Sequence, residues 1–143
     1  MIREYRQNDT ESIMRIWLEG NREAHAFIPA EYWHSHYAQT KKALPEADLF
    51  LYEKEQQICG FAGMTGEYLA GIFVRKDCRC AGIGKKLLDK IKQKYPSVTL
   101  HVYQKNRRAQ EFYLREGFRI VLEEIDEETK EAEYKMNWRK NKS

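Results

Sequence analysis

Cysteine is scarce in this sequence. Its 3 cysteines in 143 residues are an odd number and cannot make up a disulfide framework. Cys78 and Cys80 are spaced C-x-C with no second cysteine pair nearby, which is poor material for zinc. Long apolar runs are absent too. The longest extends only from Leu69 to Val74, too short to span a bilayer. The start, Met1-Ile2-Arg3-Glu4-Tyr5-Arg6, has neither the apolar core nor the small-residue cleavage site of a secretory signal. A reduced, cytoplasmic protein with no membrane segment and no metal is expected. Charge of one sign is also in short supply. A net +3 does not by itself imply nucleic acid, and the basic stretch lacks the interleaved aromatics of a single-strand binder.

What is present suits one soluble α/β domain, expected over 1–139 with a polar tail at 140–143. Ile2 to Arg6 reads as a strand. Asn8 or Asp9 can cap a helix, with Glu11 completing a capping box from Asn8, and Ile13, Ile16, Trp17 and Gly20 mark its buried stripe. A second helix runs from about Ala30 to Leu44, stopped by Pro45. Leu49–Glu53 and Ile58–Met64 are strands around the polar turn Lys54-Glu55-Gln56. Tyr68 to Val74 is dense enough for a central strand buried on both sides. Ile83, Leu87, Leu88 and Ile91 define a helix closed by Pro96. Val98–Tyr103 is a strand, Arg107–Glu116 a helix ending at Gly117, and Phe118–Ile125 with Ala132–Trp138 a terminal hairpin. The predicted order is β-α-α-β-β-β-α-β-α-β-β, a mixed, mostly antiparallel twisted sheet with helices on both faces.

The chemistry concentrates where the Tyr68–Val74 strand joins the next helix. The segment Arg79-Cys80-Ala81-Gly82-Ile83-Gly84-Lys85 is a glycine-bearing turn that opens a helix. Such a turn aims free backbone N–H groups and the positive end of the helix dipole at one point, which suits a phosphate or pyrophosphate. A P-loop would need glycine where Arg79 stands, and a dinucleotide fingerprint would need it at Leu87. Basic residues cluster from Arg75 to Lys94 and at Lys105, Arg107 and Arg108. Acids cluster late, at Glu123, Glu124, Asp126, Glu127, Glu128, Glu131 and Glu133. The two blocks fit a protein that takes an anion on one side and a cation on the other.

Arg79-Cys80-Ala81-Gly82-Ile83-Gly84 resembles the R/Q-x-x-G-x-G/A motif of the GNAT superfamily of N-acetyltransferases. A second block, from Asn106 through Ala109, Phe112 and Tyr113 to Gly117-Phe118, is similar to that family's N-x-x-A-x-x-F-Y-x-x-x-G-F pattern. The segments His25–Trp33 and Val102–Asn106 resemble the small enterobacterial members that act on protein lysines. The resemblance implies transfer of acetyl from acetyl-coenzyme A to a primary amine by direct attack in a ternary complex, the acceptor being a protein lysine. A polyamine or antibiotic amine, and a non-catalytic acyl-coenzyme A sensor, are the alternatives. Monomer and homodimer are both open.

By the same resemblance, Arg79, Cys80, Ala81, Gly82, Ile83, Gly84 and Lys85 would bind the pyrophosphate. The main chain of Ile72, Phe73 and Val74 would meet the pantetheine arm, with the Ile72 N–H on the thioester carbonyl. Asn106 and Ala109 would touch the cofactor from the start of their helix, and Tyr113 would protonate the leaving thiolate. The family's usual glutamate base has no counterpart here. Tyr68 holds its position and Glu67 stands one residue earlier, while His101 and Tyr103 share one face of the following strand. Glu67, Tyr68 and His101 are therefore all candidates. His25 could line the acceptor site. Cys80, beside Arg79 and a helix start, has the setting of a thiol with a lowered pKa, or is an inert small side chain. Glu127, Glu128 and Glu131 are expected to draw a cationic acceptor.

Overall fold

The computed structural model describes residues 1–79 and 81–140. Its strands are β1 (Ile2–Glu4), β2 (Asp48–Lys54), β3 (Gln57–Thr65), β4 (Tyr68–Val74), β5 (Ser97–Tyr103), β6 (Arg119–Ile125) and β7 (Ala132–Arg139). Its helices are α1 (Thr10–Ala24), α2 (Ala30–Ala43), α3 (Ile83–Lys94) and α4 (Arg107–Arg115). The order expected from hydrophobic periodicity is the order observed. The strands form one 7-stranded sheet in the order β1-β2-β3-β4-β5-β7-β6, antiparallel throughout except for β4 beside β5.

Helices cover both faces, each with its own core. On one face Ile13, Met14 and Ile16 of α1 pack with Leu49, Leu51 and Phe61 of the sheet. On the other, Ile83, Leu87, Leu88 and Ile91 of α3 and Tyr113 of α4 pack with Val98, Leu100, Val102 and Met136. The β2–β3 turn is tight because Glu55 and Gln56 both take positive φ, 52° and 67°, the twist a two-residue hairpin requires.

Three details differ from the sequence reading. Helix α1 does not begin with a capping box from Asn8 to Glu11. A 3-10 turn at Gln7–Asp9 precedes it, and the buried Asp9 carboxylate accepts the Arg6 N–H at 2.8 Å. Both terminal nitrogens of Arg3 donate to the same carboxylate, at 2.8 and 2.9 Å, and Arg3 Nε reaches Glu53 at 2.8 Å. Charge-assisted bonds to a distant strand outweigh a local cap. For the same reason β1 stops at Glu4 rather than Arg6, whose N–H is taken. The third difference is β4. It is central in the sheet yet not buried on both sides, for Tyr68 is 38% exposed and Ala70 is exposed. Only Leu69 is sealed in.

The cause lies in its two neighbours. Toward β3 the register steps from Gly63↔Gly71 to Met64↔Leu69, leaving Ala70 as the extra residue of a bulge. Toward β5, Tyr68 opposite Thr99 is the single register pair among the described residues, reinforced by the Thr99 N–H on the Glu67 carbonyl at 2.9 Å. Beyond that point the two parallel strands separate. The sheet is therefore split at its middle.

Candidate active site

Three elements meet on the α3/α4 side of this split. Gly82 is the N-cap of α3 with φ 72°, in the left-handed region where a side chain is strained, and a Cβ there would meet nothing within 4 Å. The Lys86 N–H is the first to find a helical carbonyl, that of Gly82, at 3.0 Å. The N–H groups of Ile83, Gly84 and Lys85 precede it and point out of the helix end. Gly84 faces Phe112 of α4 and Ile72 of β4, and a Cβ on it would lie 3.7 and 3.9 Å from them. The glycine turn, the free edge of β4 and helix α4 thus share one corner.

That corner is tied down by charge. Arg79 is ion-paired with Glu23 of α1, and this pairing above all holds the Glu23 carboxyl below its ordinary pKa. Lys85 reaches Glu116, just past α4, at 3.1 Å. Asn106 caps α4, accepting the Ala109 N–H at 3.3 Å. Its amide nitrogen, which can only donate, gives a hydrogen bond of 3.2 Å to His25 Nε2. The proton of His25 is then on Nδ1, which is buried with no partner among the described residues. Burial lowers the His25 pKa from about 6.5 to about 4, so the ring is neutral at pH 7. Its plane stacks on Trp33, with centroids 5.4 Å apart. His25 therefore joins the α1–α2 connection to the start of α4. The Cys80 thiol and the tail residues Asn141, Lys142 and Ser143 lie outside the described residues.

Tyr113 is 7% exposed, wedged edge-on between Phe112 and Phe118 at 5.3 and 5.4 Å. Burial raises the pKa of its hydroxyl well above the usual tyrosine value, and the nearby Tyr68 adds to the shift. A phenol so placed holds its proton at any physiological pH.

On the opposite side of the split a chain of polar groups crosses three strands. The Tyr68 hydroxyl lies 2.9 Å from His101 Nδ1, and His101 Nε2 lies 3.2 Å from Glu124 Oε1. A carboxylate can only accept, so Nε2 carries the proton and Nδ1 accepts from the tyrosine. The next rung is parallel to it, with the Tyr103 hydroxyl donating to Asp126 at 2.7 Å. Strand register makes both rungs possible, since Tyr103, Glu133 and Glu124 are directly opposite one another across β5, β7 and β6. Burial and the carboxylates of Glu133, Glu124 and Asp126 raise the Tyr68 pKa. Glu133 is itself pushed up, first by burial and then by its acidic neighbours, against the opposing pull of His101.

Tyr68 and His101 are thus brought together, while Glu67 lies in the exposed turn before β4 and joins the site only through its backbone carbonyl. Glu124, Asp126 and Glu133 appear in the sequence only as members of an acidic block. The clue is their alternation, Glu124/Asp126 against His101/Tyr103, which becomes a match only once β6, β7 and β5 are known to be neighbours. Two of the hairpin acids expected to draw an acceptor already have partners. Glu128 contacts His36 and Glu131 contacts Lys105, both at 3.0 Å. Beside the bulge, on the same side as Tyr68, an apolar cavity of about 260 Å³ is lined by Trp17, Leu49, Phe61, Ala70, Gly71 and Phe73. Gly71 is needed there, because a Cβ would come within 2.6 Å of the Phe73 ring. A larger depression of about 930 Å³, between the start of α1 and the β2–β3 turn, includes none of these residues. Among the described residues no group of histidines, cysteines and carboxylates could hold a metal ion, and no helix is long and apolar enough to cross a membrane.

Comparison with known proteins finds both a family and a fold that match. A model of the acetyltransferase (GNAT) domain matches residues 45–120. The peptidyl-lysine N-acetyltransferase YiaC of Escherichia coli (strain K12) is 36% identical over 140 residues, 96% of each chain. The peptidyl-lysine N-acetyltransferase YjaB of the same organism is 30% identical over 128 residues, 88% of this chain and 87% of that one. The solution structure of apo-form YjaB from Escherichia coli superposes with a TM-score of 0.84 at 26% identity, covering 96% of this chain and 95% of that one.

Proposed function

The chain belongs to the acetyltransferase (GNAT) family, whose acyl donor is acetyl-coenzyme A, and from that premise we propose that its acceptor is the side-chain amine of a protein lysine. The observation that carries this reading is the asymmetry of the split between β4 and β5. A buried proton donor, Tyr113, stands on one side and the carboxylate-backed pair Tyr68–His101 on the other. The printed names of the two curated relatives point to the same acceptor.

The residues present fit coenzyme A: a glycine at positive φ opens a helix whose first N–H groups are uncommitted, next to a strand with a free edge. When bound, acetyl-coenzyme A supplies an activated thioester carbonyl. The N–H groups of Ile83, Gly84 and Lys85 hold the pyrophosphate. The main chain of Ile72 to Val74 aligns the pantetheine arm, and the Ile72 N–H polarises the carbonyl. A lysine amine arrives mostly protonated and must lose a proton to attack. The Tyr68 oxygen accepts that proton as its own passes to His101 Nδ1, and the imidazolium formed is stabilised by Glu124. Tyr113 would protonate the departing thiolate and be reprotonated, through solvent, by the second proton that the attacking nitrogen releases as the amide forms. A cytoplasmic place of work belongs to the same reading, and the free thiols of Cys59 and Cys78 suit it.

The test is a coenzyme A-release assay across lysine peptides, polyamines and aminoglycosides, with mass spectrometry of the products. Acetyl on a lysine side chain is the expected outcome. Release with small amines alone would make the enzyme a small-molecule acetyltransferase. Acetyl-coenzyme A binding without release to any amine would make it an acyl-coenzyme A sensor.

A further inference from the structure

The cations around the start of α3 are neutralised from within the chain. Arg75 is paired with Asp77 at 2.6 Å, and Lys85 with Glu116 at 3.1 Å and Asp89 at 3.5 Å. The pairing of Arg79 is of another kind. Its partner Glu23 belongs to the last turn of α1, 56 residues away in the chain. Both terminal nitrogens of the guanidinium donate to that one carboxylate. Such a fork binds a carboxylate or a phosphate equally well in shape, and here the carboxylate fills it.

Two more cations converge on the same group. After the hydrogen bond from Arg79, the charges of Lys76 and of Arg108, in the first turn of α4, help to hold the Glu23 carboxyl below the ordinary carboxylate range. Arg79 stands three residues before Gly82, the N-cap beyond which the first N–H groups of α3 are uncommitted. The competing reading is an ordinary ion pair that only ties α1 to the turn. It accounts for Arg79, but three cations facing one carboxylate suit a group of greater negative charge.

We propose that Glu23 is an internal substitute for the pyrophosphate of coenzyme A, filling the Arg79 fork in the free enzyme and leaving it when the cofactor binds. The proposal rests on the reading that the start of α3 holds the pyrophosphate. A pyrophosphate at the same guanidinium would lie against Glu23, and two anions that close repel. The Glu23 side chain is 41% exposed and that of Arg79 only 22%, so the carboxylate can turn into water while the guanidinium stays. Glu23 therefore holds donor affinity down, and Arg79 exchanges one anion for another.

Calorimetry with coenzyme A on the wild type and Glu23→Gln tests this, with circular dichroism as the fold control. The variant should bind about fivefold more tightly, the scale of one partly exposed ion pair. The gain should be the same with dephospho-coenzyme A, which lacks the ribose phosphate but keeps the pyrophosphate. In an Arg79→Gln background the same substitution should gain much less, because the two residues act as a pair. Without ligand, Glu23→Gln should melt no higher than the wild type, and coenzyme A should raise its melting temperature by more. A carboxylate that merely orients Arg79 would weaken binding when neutralised, so the sign of the change separates the two roles. Unchanged or weaker binding by folded Glu23→Gln would overturn the proposal and leave the cofactor reading standing. A gain confined to coenzyme A, absent with the dephospho form, would overturn it too. A wild-type protein that binds no coenzyme A would remove the cofactor reading and the proposal together.

Discussion

Tyr113 is the residue on which packing and chemistry most directly compete. Its ring belongs to the core formed by Phe112, Phe118 and α3, and on those contacts alone it would be a structural aromatic. Its hydroxyl is near enough to Tyr68 for the two to interact, and burial keeps it protonated. Removing only the oxygen separates the two roles. Tyr113→Phe should keep the fold and acetyl-coenzyme A affinity but lower kcat by about 10²-fold, the scale of one positioned proton donor. Calorimetry and steady-state kinetics on the same preparation check this. Wild-type turnover would assign Tyr113 to packing.

Among the elements, the β6–β7 hairpin divides its acids between two tasks. Those of the turn face cations of the same chain, Glu128 with His36 and Glu131 with Lys105. Glu124 and Glu133 on the strands, with Asp126 just past the end of β6, converge on Tyr68. Attraction of a cationic acceptor is therefore expected of these three rather than of the turn acids. Glu133→Gln should lower kcat/KM for a lysine peptide about fivefold, the effect of roughly 1 kcal/mol of charge–charge attraction, mostly through KM. It should also flatten the salt dependence and leave acetyl-coenzyme A binding unchanged. Glutamine at Glu127, Glu128 and Glu131 together should do much less. Equal effects from the two sets would return the attraction to the hairpin as a whole.

At the scale of the whole molecule, stability and site share one joint. His25 holds the α1–α2 connection against the start of α4 through Asn106, and it is neutral because it is buried. The unfolded chain takes up a proton at this residue near pH 6.5, while the folded one resists until about pH 4. Its folded pKa is lowered, so in that window the unfolded state binds more protons and stability falls with falling pH. Thermal melts between pH 7 and pH 4 should show the decline, and His25→Phe, which keeps an aromatic ring against Trp33, should have a shallower one. An unchanged slope would mean that other groups govern the acid response.

Hydrophobic periodicity and breakers were enough to determine the order and type of every main element, because both are local properties of the chain. The stripe Ile83, Leu87, Leu88, Ile91 makes an amphipathic helix wherever it lands, and Gly82 before it can take a left-handed turn wherever the chain goes. The two family motifs are continuous segments, and so the glycine turn and the capped helix that meet beside β4 were legible as well. Only the tertiary structure decided the rest. The capping of α1 was lost to Arg3 and Glu53, residues far apart in the chain. The exposure of β4 follows from a bulge and from β5 separating after one register pair, and neither is written in the strand's own apolar run. The Tyr68–His101–Glu124 chain needs β4, β5 and β6 to be arranged around an inserted β7. Strand order is set by which pairings bury the most apolar surface across the whole chain, and no local segment carries that information.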